Sequence, residues 1–316
     1  MSMAAVHHGY YKCEGSGRMI RKIMQTAAVF LLTGVLAVMA VTTYVTVPDE
    51  PAADEETQAE EAGTIESVTA SSLADRQDVY VTVLGDSIAK GYSGDENVVI
   101  EPYSSLAMRQ MAAEEDFQYE ITNYARNGLD SAGMNDKILT DEEVCDSVGR
   151  SDVIFITVGS NDLLNECKSA VQEILDTDTK FKSAGEALKA LRESAAGNPL
   201  LVLKIIETLE QWDYQMFEAN WIEMMHRIDG MKKEGAWIIV TNIYNPVANL
   251  NIPSTMDRGV ENVIRNMNKI IEKYAEEYGY QVADIFSSEV CGHVQPDGLH
   301  PDQTGQQIIA DQICGE

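Results

Sequence analysis

A serine in a short polar turn is the first candidate for chemistry in this sequence. Ser87 stands in Gly85-Asp86-Ser87, directly after the apolar run Val79 to Leu84. If that run is a strand of a parallel sheet, the serine lies at its carboxyl end, where such sheets bind their ligands. A serine there can also be a helix N-cap, and the tripeptide alone does not decide between the two roles. The α/β-hydrolase elbow G-x-S-x-G is absent, because Ala89 occupies the position of the second glycine.

Three histidines after residue 78 are candidates for the base that a serine nucleophile needs: His226, His293 and His300. His226 falls within a helical pattern, and His293 is a fallback in a loop. His300 follows Asp297 by three residues, so the carboxylate can accept the Nδ1 proton within one turn and leave Nε2 for Ser87. The same segment is also typical of an Asp-capped turn that opens the last helix.

Two further polar segments supply donors for the oxyanion that forms during acyl transfer. Gly128, in the segment 123–131, could present a backbone N–H. Asn161, in the segment 158–164, could present its side-chain amide. Taken separately, Gly128 is also explained as a turn glycine and Asn161 as part of a helix cap.

The order and spacing of these four segments resemble the SGNH hydrolases, also called GDSL esterases and lipases, over Val79 to Glu316. The resemblance implies that the four positions that give this family its name are Ser87, Gly128, Asn161 and His300. It also implies that Asp297 completes the catalytic triad. Ile88 replaces the leucine of the literal GDSL string, a departure that leaves the chemistry unchanged.

Family membership would further imply an oxyanion hole built from the backbone N–H groups of Ser87 and Gly128 and the Asn161 amide, with no metal and no cofactor. The segment Asn242 to Pro246 is similar to a bacterial extracytoplasmic subgroup of lipases and esterases. The expected function is hydrolysis of carboxylic esters of lipids or small acyl groups. Two alternatives remain: a carbohydrate O-deacetylase of the same family, and an exported glycan-binding or interaction protein without turnover.

The elements that must position these residues alternate between strand-length apolar runs and longer helical patterns. This alternation predicts a three-layer α/β/α sandwich of flavodoxin-like type, with about five parallel strands. The predicted strands are Val79–Leu84, Tyr119–Asn123, Val153–Val158, Trp237–Asn242 and Gln281–Ile285. The predicted helices are Tyr103–Glu115, Val260–Tyr278 and Gln303–Ile313.

A mostly helical stretch, residues 163–235, is too long for a plain crossover between strands and predicts a helical insertion or cap within a hydrolase domain of residues 78–316. Its apolar positions, such as those between Leu200 and Leu209, could line an acyl pocket. They could also pack these helices against the sheet, and the pattern favours this second role.

The N-terminal residues 1–47 have the pattern of an export signal or signal-anchor. Arg18, Arg21 and Lys22 precede an uncharged run of 25 residues, 23–47, which is long enough to span a bilayer. Val38-Met39-Ala40 also supplies a cleavage site, so secretion and a membrane tether through 23–47 both remain open. Because the positive charges precede the run, the rest of the chain is expected to be extracytoplasmic.

Residues 48–77 have the composition of a disordered acidic linker, since nine acidic residues and no Lys or Arg lie between Pro48 and Asp75. The formal net charge of −28 excludes nucleic acid as the main partner, because phosphates would be repelled. The expected partner is a small-molecule, lipid or glycan ester. Two disulfides or free thiols are both compatible with the cysteines of the hydrolase domain, Cys145, Cys167, Cys291 and Cys314.

Overall fold

The computed structural model describes residue 73 and the ranges 78–195, 198–245 and 254–315. The predicted export segment 1–47, and the linker 48–77 apart from Leu73, lie outside the described residues. Within the described ranges, no helix is long and apolar enough to cross a bilayer.

Five parallel strands form one sheet in the order β2-β1-β3-β4-β5, which confirms the predicted fold class. Their Val and Ile runs suit strands that are covered on both faces, where no polar alternation is needed. Every residue of β3 is buried. The fifth strand ends two residues earlier than predicted. The strands are β1 Asp78–Gly85, β2 Gln118–Asn123, β3 Val153–Thr157, β4 Trp237–Thr241 and β5 Tyr280–Ala283.

Helices connect the strands and cover both faces of the sheet. The predicted helix Val260–Tyr278 begins earlier, at Ser254, and is interrupted at Tyr274. The helices are α1 Ser87–Lys90, α2 Tyr103–Glu115, α3 Ser131–Gly133, α4 Glu142–Arg150, α5 Ser160–Leu175, α6 Ala184–Ala195, α7 Pro199–Glu210, α8 Gln215–Met231, α9 Ser254–Lys273, α10 Ala275–Tyr278 and α11 Gln303–Cys314. A π-helix, Met134–Ile138, continues α3, and a 3-10 helix spans Glu289–Gly292.

Alternate residues of each central strand enter two separate cores, as the pleat requires. Ile154 and Ile156 of β3 belong to the core that also contains residues of α4, α8 and α9. Val153 and Phe155 belong to the core that contains residues of α2 and α11. The two cores fix the sheet between its helical layers, and with it the carboxyl ends of the strands.

A third, smaller core lies within the helices α5, α6 and α7. Ile205 of α7 packs there with Val171 and Ile174 of α5. Leu200 and Leu203 are instead 69% and 56% exposed. The apolar residues of α7 therefore pack mainly among the helices of the insertion and toward solvent, and the prediction that they pack against the sheet is wrong for most of them.

Helix α7 of the insertion packs against α9, which is bound to the segment that follows β4. Asn268 of α9 exchanges two hydrogen bonds of 2.9 Å with the backbone of Ile243, two residues past the end of β4. Gly259 lies nine residues before Asn268, in the first half of α9. A Cβ on Gly259 would lie 2.6 Å from Leu209 Cδ1, so α7 packs closely against this part of α9.

The four cysteines of the predicted hydrolase domain, Cys145, Cys167, Cys291 and Cys314, are thiols and not disulfides. Burial raises the pKa of the Cys167 thiol to about 12. A thiol with so high a pKa is a poor nucleophile at neutral pH, so Cys167 serves the core as a small apolar side chain.

Candidate active site

The turn that carries Ser87 is shaped by its neighbours on both sides. Gly85 closes β1 with φ +147°, and a Cβ there would lie 2.3 Å from the carbonyl oxygen of Thr157 on β3, so only glycine fits. Asp86 caps α1 by accepting a 2.8 Å hydrogen bond from the Ile88 N–H. Ser87 begins this short helix at the carboxyl end of β1 and is 7% exposed.

His300 is presented by a tight loop between two short backbone pairings. Val294 and Pro301 form an antiparallel bridge, and the Gln295 N–H donates to the His300 carbonyl at 2.7 Å. Asp297, near the tip of this loop, accepts hydrogen bonds from the backbone N–H groups of Leu299 and His300 at 2.9 and 3.0 Å. These backbone hydrogen bonds hold the Asp297 carboxylate in place independently of its contact with the His300 imidazole.

Ser87, His300 and Asp297 lie in one hydrogen-bonded series. Ser87 Oγ is 2.9 Å from His300 Nε2, across 213 residues of sequence. His300 Nδ1 is 2.6 Å from Asp297 Oδ2. Partial burial works against the charge of Asp297, but the hydrogen bonds from Leu299 and His300 outweigh it and lower the pKa of this carboxyl below its usual value. The structure thus brings together the three side chains that the sequence analysis selected. Their arrangement suits a nucleophile, a base and a carboxylate that orients the base.

The other histidines of the described chain do not join this series. His226 lies in α8, as its helical pattern predicted, and is exposed. His293 lies at the base of the His300 loop, where its carbonyl accepts the Asp302 N–H at 3.0 Å. Tyr92 is a residue that sequence reasoning missed, and its ring stands 4.5 Å from the His300 ring, centroid to centroid.

Gly128 and Asn161 both border the same crevice as Ser87. Gly128 has φ +74°, a left-handed conformation that favours glycine. The Asn161 Nδ2 group donates to the Leu129 carbonyl at 3.0 Å and to Asp86 Oδ2 at 3.4 Å. The longer of these bonds is weak and can be exchanged for a bond to an oxyanion.

Two carboxyl groups at or near the crevice, the buried Asp86 and the partly buried Asp162, were also missed as site residues. Asp86 has no exposed surface, and burial, together with repulsion from Asp162, raises its pKa to about 7. Burial likewise raises the pKa of Asp162 to about 6, although hydrogen bonds from Ser131 oppose the shift. The sequence contained one signal for Asp86, its place between the glycine and the serine, but no signal for its burial.

The crevice at Ser87 is a cavity of about 310 Å³. The apolar residues 200–209 do not line it, so the prediction that they form an acyl pocket is wrong. Leu164 is the residue of the predicted insertion that does line it. The other lining residues are Asp86, Ser87, Ile88, Tyr92, Asn127, Gly128, Ser160, Asn161, Tyr244, Leu299 and His300. Among the described residues, no group of three or more His, Cys, Asp or Glu is arranged to hold a metal ion.

Comparisons with known proteins give one family and a set of distant structures. The family model described as GDSL-like lipase/acylhydrolase matches residues 81–313. No curated protein matches the chain. Among solved structures, the lipase Lip_vut3 from a goat rumen metagenome is 17% identical, with a TM-score of 0.52 over 75% of this chain and 96% of that one. This likeness shows the shared fold.

Two further structures resemble the chain less closely in three dimensions. An extracellular lipase from Streptomyces rimosus is 15% identical, with a TM-score of 0.48 over 75% of this chain and 98% of the lipase. An acetylxylan esterase from Geobacillus stearothermophilus is 15% identical, with a TM-score of 0.47 over 74% of this chain and 91% of the esterase.

Proposed function

The chain belongs to the family of GDSL-like lipases and acylhydrolases, and we propose that it hydrolyses carboxylic esters through a covalent acyl-enzyme at Ser87. The observation that carries this proposal is the series from Ser87 Oγ to His300 Nε2 at 2.9 Å and from His300 Nδ1 to Asp297 Oδ2 at 2.6 Å. A serine hydroxyl that faces an imidazole, itself oriented by a carboxylate, is the arrangement that activates serine for acyl transfer.

In the proposed cycle, Ser87 Oγ attacks the ester carbonyl while His300 Nε2 takes its proton. The charge on the former carbonyl oxygen is stabilised by the N–H groups of Ser87 and Gly128 and by the Asn161 amide. Collapse of the tetrahedral intermediate breaks the ester bond, and His300 gives its proton to the leaving alcohol. Water then attacks the acyl-Ser87 ester while His300 takes its proton. The acyl–Oγ bond breaks, the acid leaves, and His300 returns the proton to Ser87 Oγ. Asp297 stabilises the imidazolium in both halves of the cycle.

We propose esters of short acyl groups as the substrates. The cavity of about 310 Å³ must contain both the acyl group and the part of the alcohol next to the ester. This volume is at the lower end of the range of small-molecule sites, about 300 to 1,000 Å³. The apolar side chains of Ile88, Leu164 and Leu299 border it, and they suit a short alkyl chain better than a charged one. The same size favours a carbohydrate O-deacetylase as the second candidate.

A panel of p-nitrophenyl esters from acetyl to dodecanoyl, with acetylated xylo-oligosaccharides added, tests this proposal on the purified full chain. We expect the highest kcat/KM for acyl groups of about two to four carbons. Ser87→Ala should abolish turnover, while Ser169→Ala, on the exposed surface of α5, should leave it unchanged. Full activity in the Ser87 variant would refute the proposed nucleophile. If the wild-type protein neither turns over any ester nor reacts with a fluorophosphonate, the chain is a binding protein on a hydrolase fold.

We also propose that the hydrolase domain works outside the cytoplasm, either secreted or tethered through residues 23–47. The support is the order of charges in the sequence, with Arg18, Arg21 and Lys22 before the uncharged run. Digestion of intact cells with an added protease tests this, since an extracytoplasmic domain is cleaved and a cytoplasmic one is protected. Retention in the membrane fraction after a carbonate wash separates the tethered form from the secreted one.

A further inference from the structure

The side chain of Gln295 links the loop of the candidate base to the loop that follows the candidate nucleophile. Its Nε2 group donates to the Tyr92 carbonyl at 2.8 Å and to the Pro301 carbonyl at 2.9 Å. Its Oε1 atom accepts the Gly94 N–H at 2.9 Å. We infer that Gln295 is a positioning residue, which sets the alignment of His300 with Ser87. This inference rests on the proposed function, because it concerns how the proposed base is held.

The contacts of Gln295 lead directly to both reacting side chains. On one side, Pro301 follows His300, and the Gln295 N–H donates to the His300 carbonyl at 2.7 Å. On the other side, the Tyr92 N–H donates to the Ser87 carbonyl at 3.0 Å. Movement of the Gln295 amide would therefore change the relative position of the His300 and Ser87 backbones.

Tyr92 adds a second contact to this arrangement. Its ring is tilted by 49° to the His300 ring at a centroid distance of 4.5 Å. Since Gln295 binds the carbonyl of Tyr92, it helps to hold this ring against one side of the imidazole. A rotation of His300 away from Ser87 would need the Tyr92 ring to move as well.

The chemistry of a carboxamide is needed at position 295. Two of its neighbours are carbonyl oxygens, which require donors, and the third is a backbone N–H, which requires an acceptor. Glutamate has the same shape, but its carboxylate cannot donate to Tyr92 and Pro301 and would face their oxygen atoms. Methionine has nearly the same length and makes none of these bonds.

Other contacts would keep the loop in place when Gln295 is changed. The Tyr244 hydroxyl donates to the Leu299 carbonyl. The antiparallel bridge between Val294 and Pro301 closes the base of the loop and does not involve the Gln295 side chain. Loss of the Gln295 bonds should therefore disturb the alignment of His300 without unfolding the region.

The test compares Gln295→Met and Gln295→Glu with Gln303→Met in the full chain. Gln303 is a matched control, because its amide also joins two distant segments, to the backbone of Glu101 at 2.9 and 3.3 Å. For both Gln295 variants we expect kcat to fall by about 10-fold to 100-fold with KM changed by less than about threefold, because misplacement of a catalytic group slows the chemical step. Gln303→Met should keep the wild-type kcat.

Labelling with a fluorophosphonate separates misalignment from loss of the fold. If Gln295 is a positioning residue, its variants label more slowly, by about the same factor as kcat, but still reach one label per chain. Wild-type kcat in both variants would overturn the inference, and so would labelling that stops well below one label per chain in both. If the wild-type protein itself does not label, the proposed function fails instead, so the two failures are distinguishable.

Discussion

The Asn161 side chain donates to Asp86 Oδ2 over 3.4 Å, the longer of its two hydrogen bonds. Asp86 is fully buried beside Ser87, and its pKa is raised to about 7 by burial first and then by Asp162. The amide that we propose for the oxyanion hole thus contacts a carboxyl group that is mainly neutral below about pH 7. A neutral Asp86 competes less strongly for the amide than a carboxylate does, since bonds to ionised acceptors are the stronger ones.

Replacement of Asn161 by Ala should lower kcat by about 100-fold to 1000-fold, as removal of one oxyanion donor does elsewhere. KM should change little, because the bond is strongest in the transition state. Asn165→Ala is the control, since Asn165 lies one turn further along α5 and donates to Asp130 at 3.0 Å, away from the crevice. Steady-state kinetics on a short p-nitrophenyl ester measure both variants. A loss below about threefold for Asn161→Ala would remove that residue from the proposed oxyanion hole.

Asp86 should make the protein less stable as the pH rises from about 4 to about 7. An acid whose pKa is raised on folding keeps its proton in the native state where the unfolded chain has lost it. Its contribution to the free energy of unfolding is therefore complete below the unfolded pKa of 3.8 and decreases until the pH passes about 7. Asp162, whose pKa is raised to about 6, acts in the same direction.

The matching experiment is thermal unfolding of Asp86→Asn between pH 4 and pH 8. The amide cannot ionise, so the variant should gain stability relative to the wild type as the pH rises, by up to a few kcal/mol at about 1.4 kcal/mol per pKa unit. Asp95→Asn is the control, because hydrogen bonds from Asn97 lower the pKa of Asp95 below its usual value. Asp95 is therefore mainly ionised in both the native and the unfolded state throughout this range, and the difference between its variant and the wild type should hardly change with pH. A difference between Asp86→Asn and wild type that does not change with pH would contradict the assigned burial effect.

Much of the fold and of the candidate site could be predicted from the sequence, because both leave local patterns. Apolar runs such as Val153 to Val158 indicate strands that are buried on both faces, and the structure has β3 there. Asp297 and His300 are three residues apart, so their contact follows from one turn of chain. The remaining step, from His300 to Ser87, depended on the resemblance of the four segments to the SGNH hydrolases, because His300 lies in a loop well past the end of β5 and not at a strand end.

What could not be predicted depends on single contacts between distant segments. Gln295 binds the Tyr92 carbonyl across 203 residues, and such a bond leaves no periodicity and needs no particular spacing. The exposure of Leu200 and Leu203 could not be predicted either. The same apolar pattern is compatible with a helix that packs on a sheet, one that packs on other helices and one that is partly exposed to solvent.

Asp297→Asn should lower kcat by about 10⁴-fold while the fold is kept, because an amide favours the wrong tautomer of the imidazole and cannot stabilise its charged form. The comparison is Asp302→Asn. Asp302 is close in sequence, but its carboxylate accepts the Gly305 N–H at 2.9 Å and caps α11. That variant should lose at most about 1 kcal/mol of stability and keep its kcat. If Asp297→Asn and Asp302→Asn had the same kcat, Asp297 would have a structural role in the loop and no role in catalysis.

Leu164 should set the upper limit of the acyl chain, since it is the side chain of the insertion that borders the cavity. Leu164→Ala opens this wall, so esters of six to eight carbons should gain relative to acetyl esters. The gain should be about fourfold for each additional methylene that is buried, from about 0.8 kcal/mol per methylene. Leu203→Ala is the control, because Leu203 is 56% exposed and does not line the cavity. If both variants shift the chain-length profile equally, or if neither does, the acyl group binds elsewhere in the crevice. The size of this cavity would then no longer support short-chain esters as the substrates.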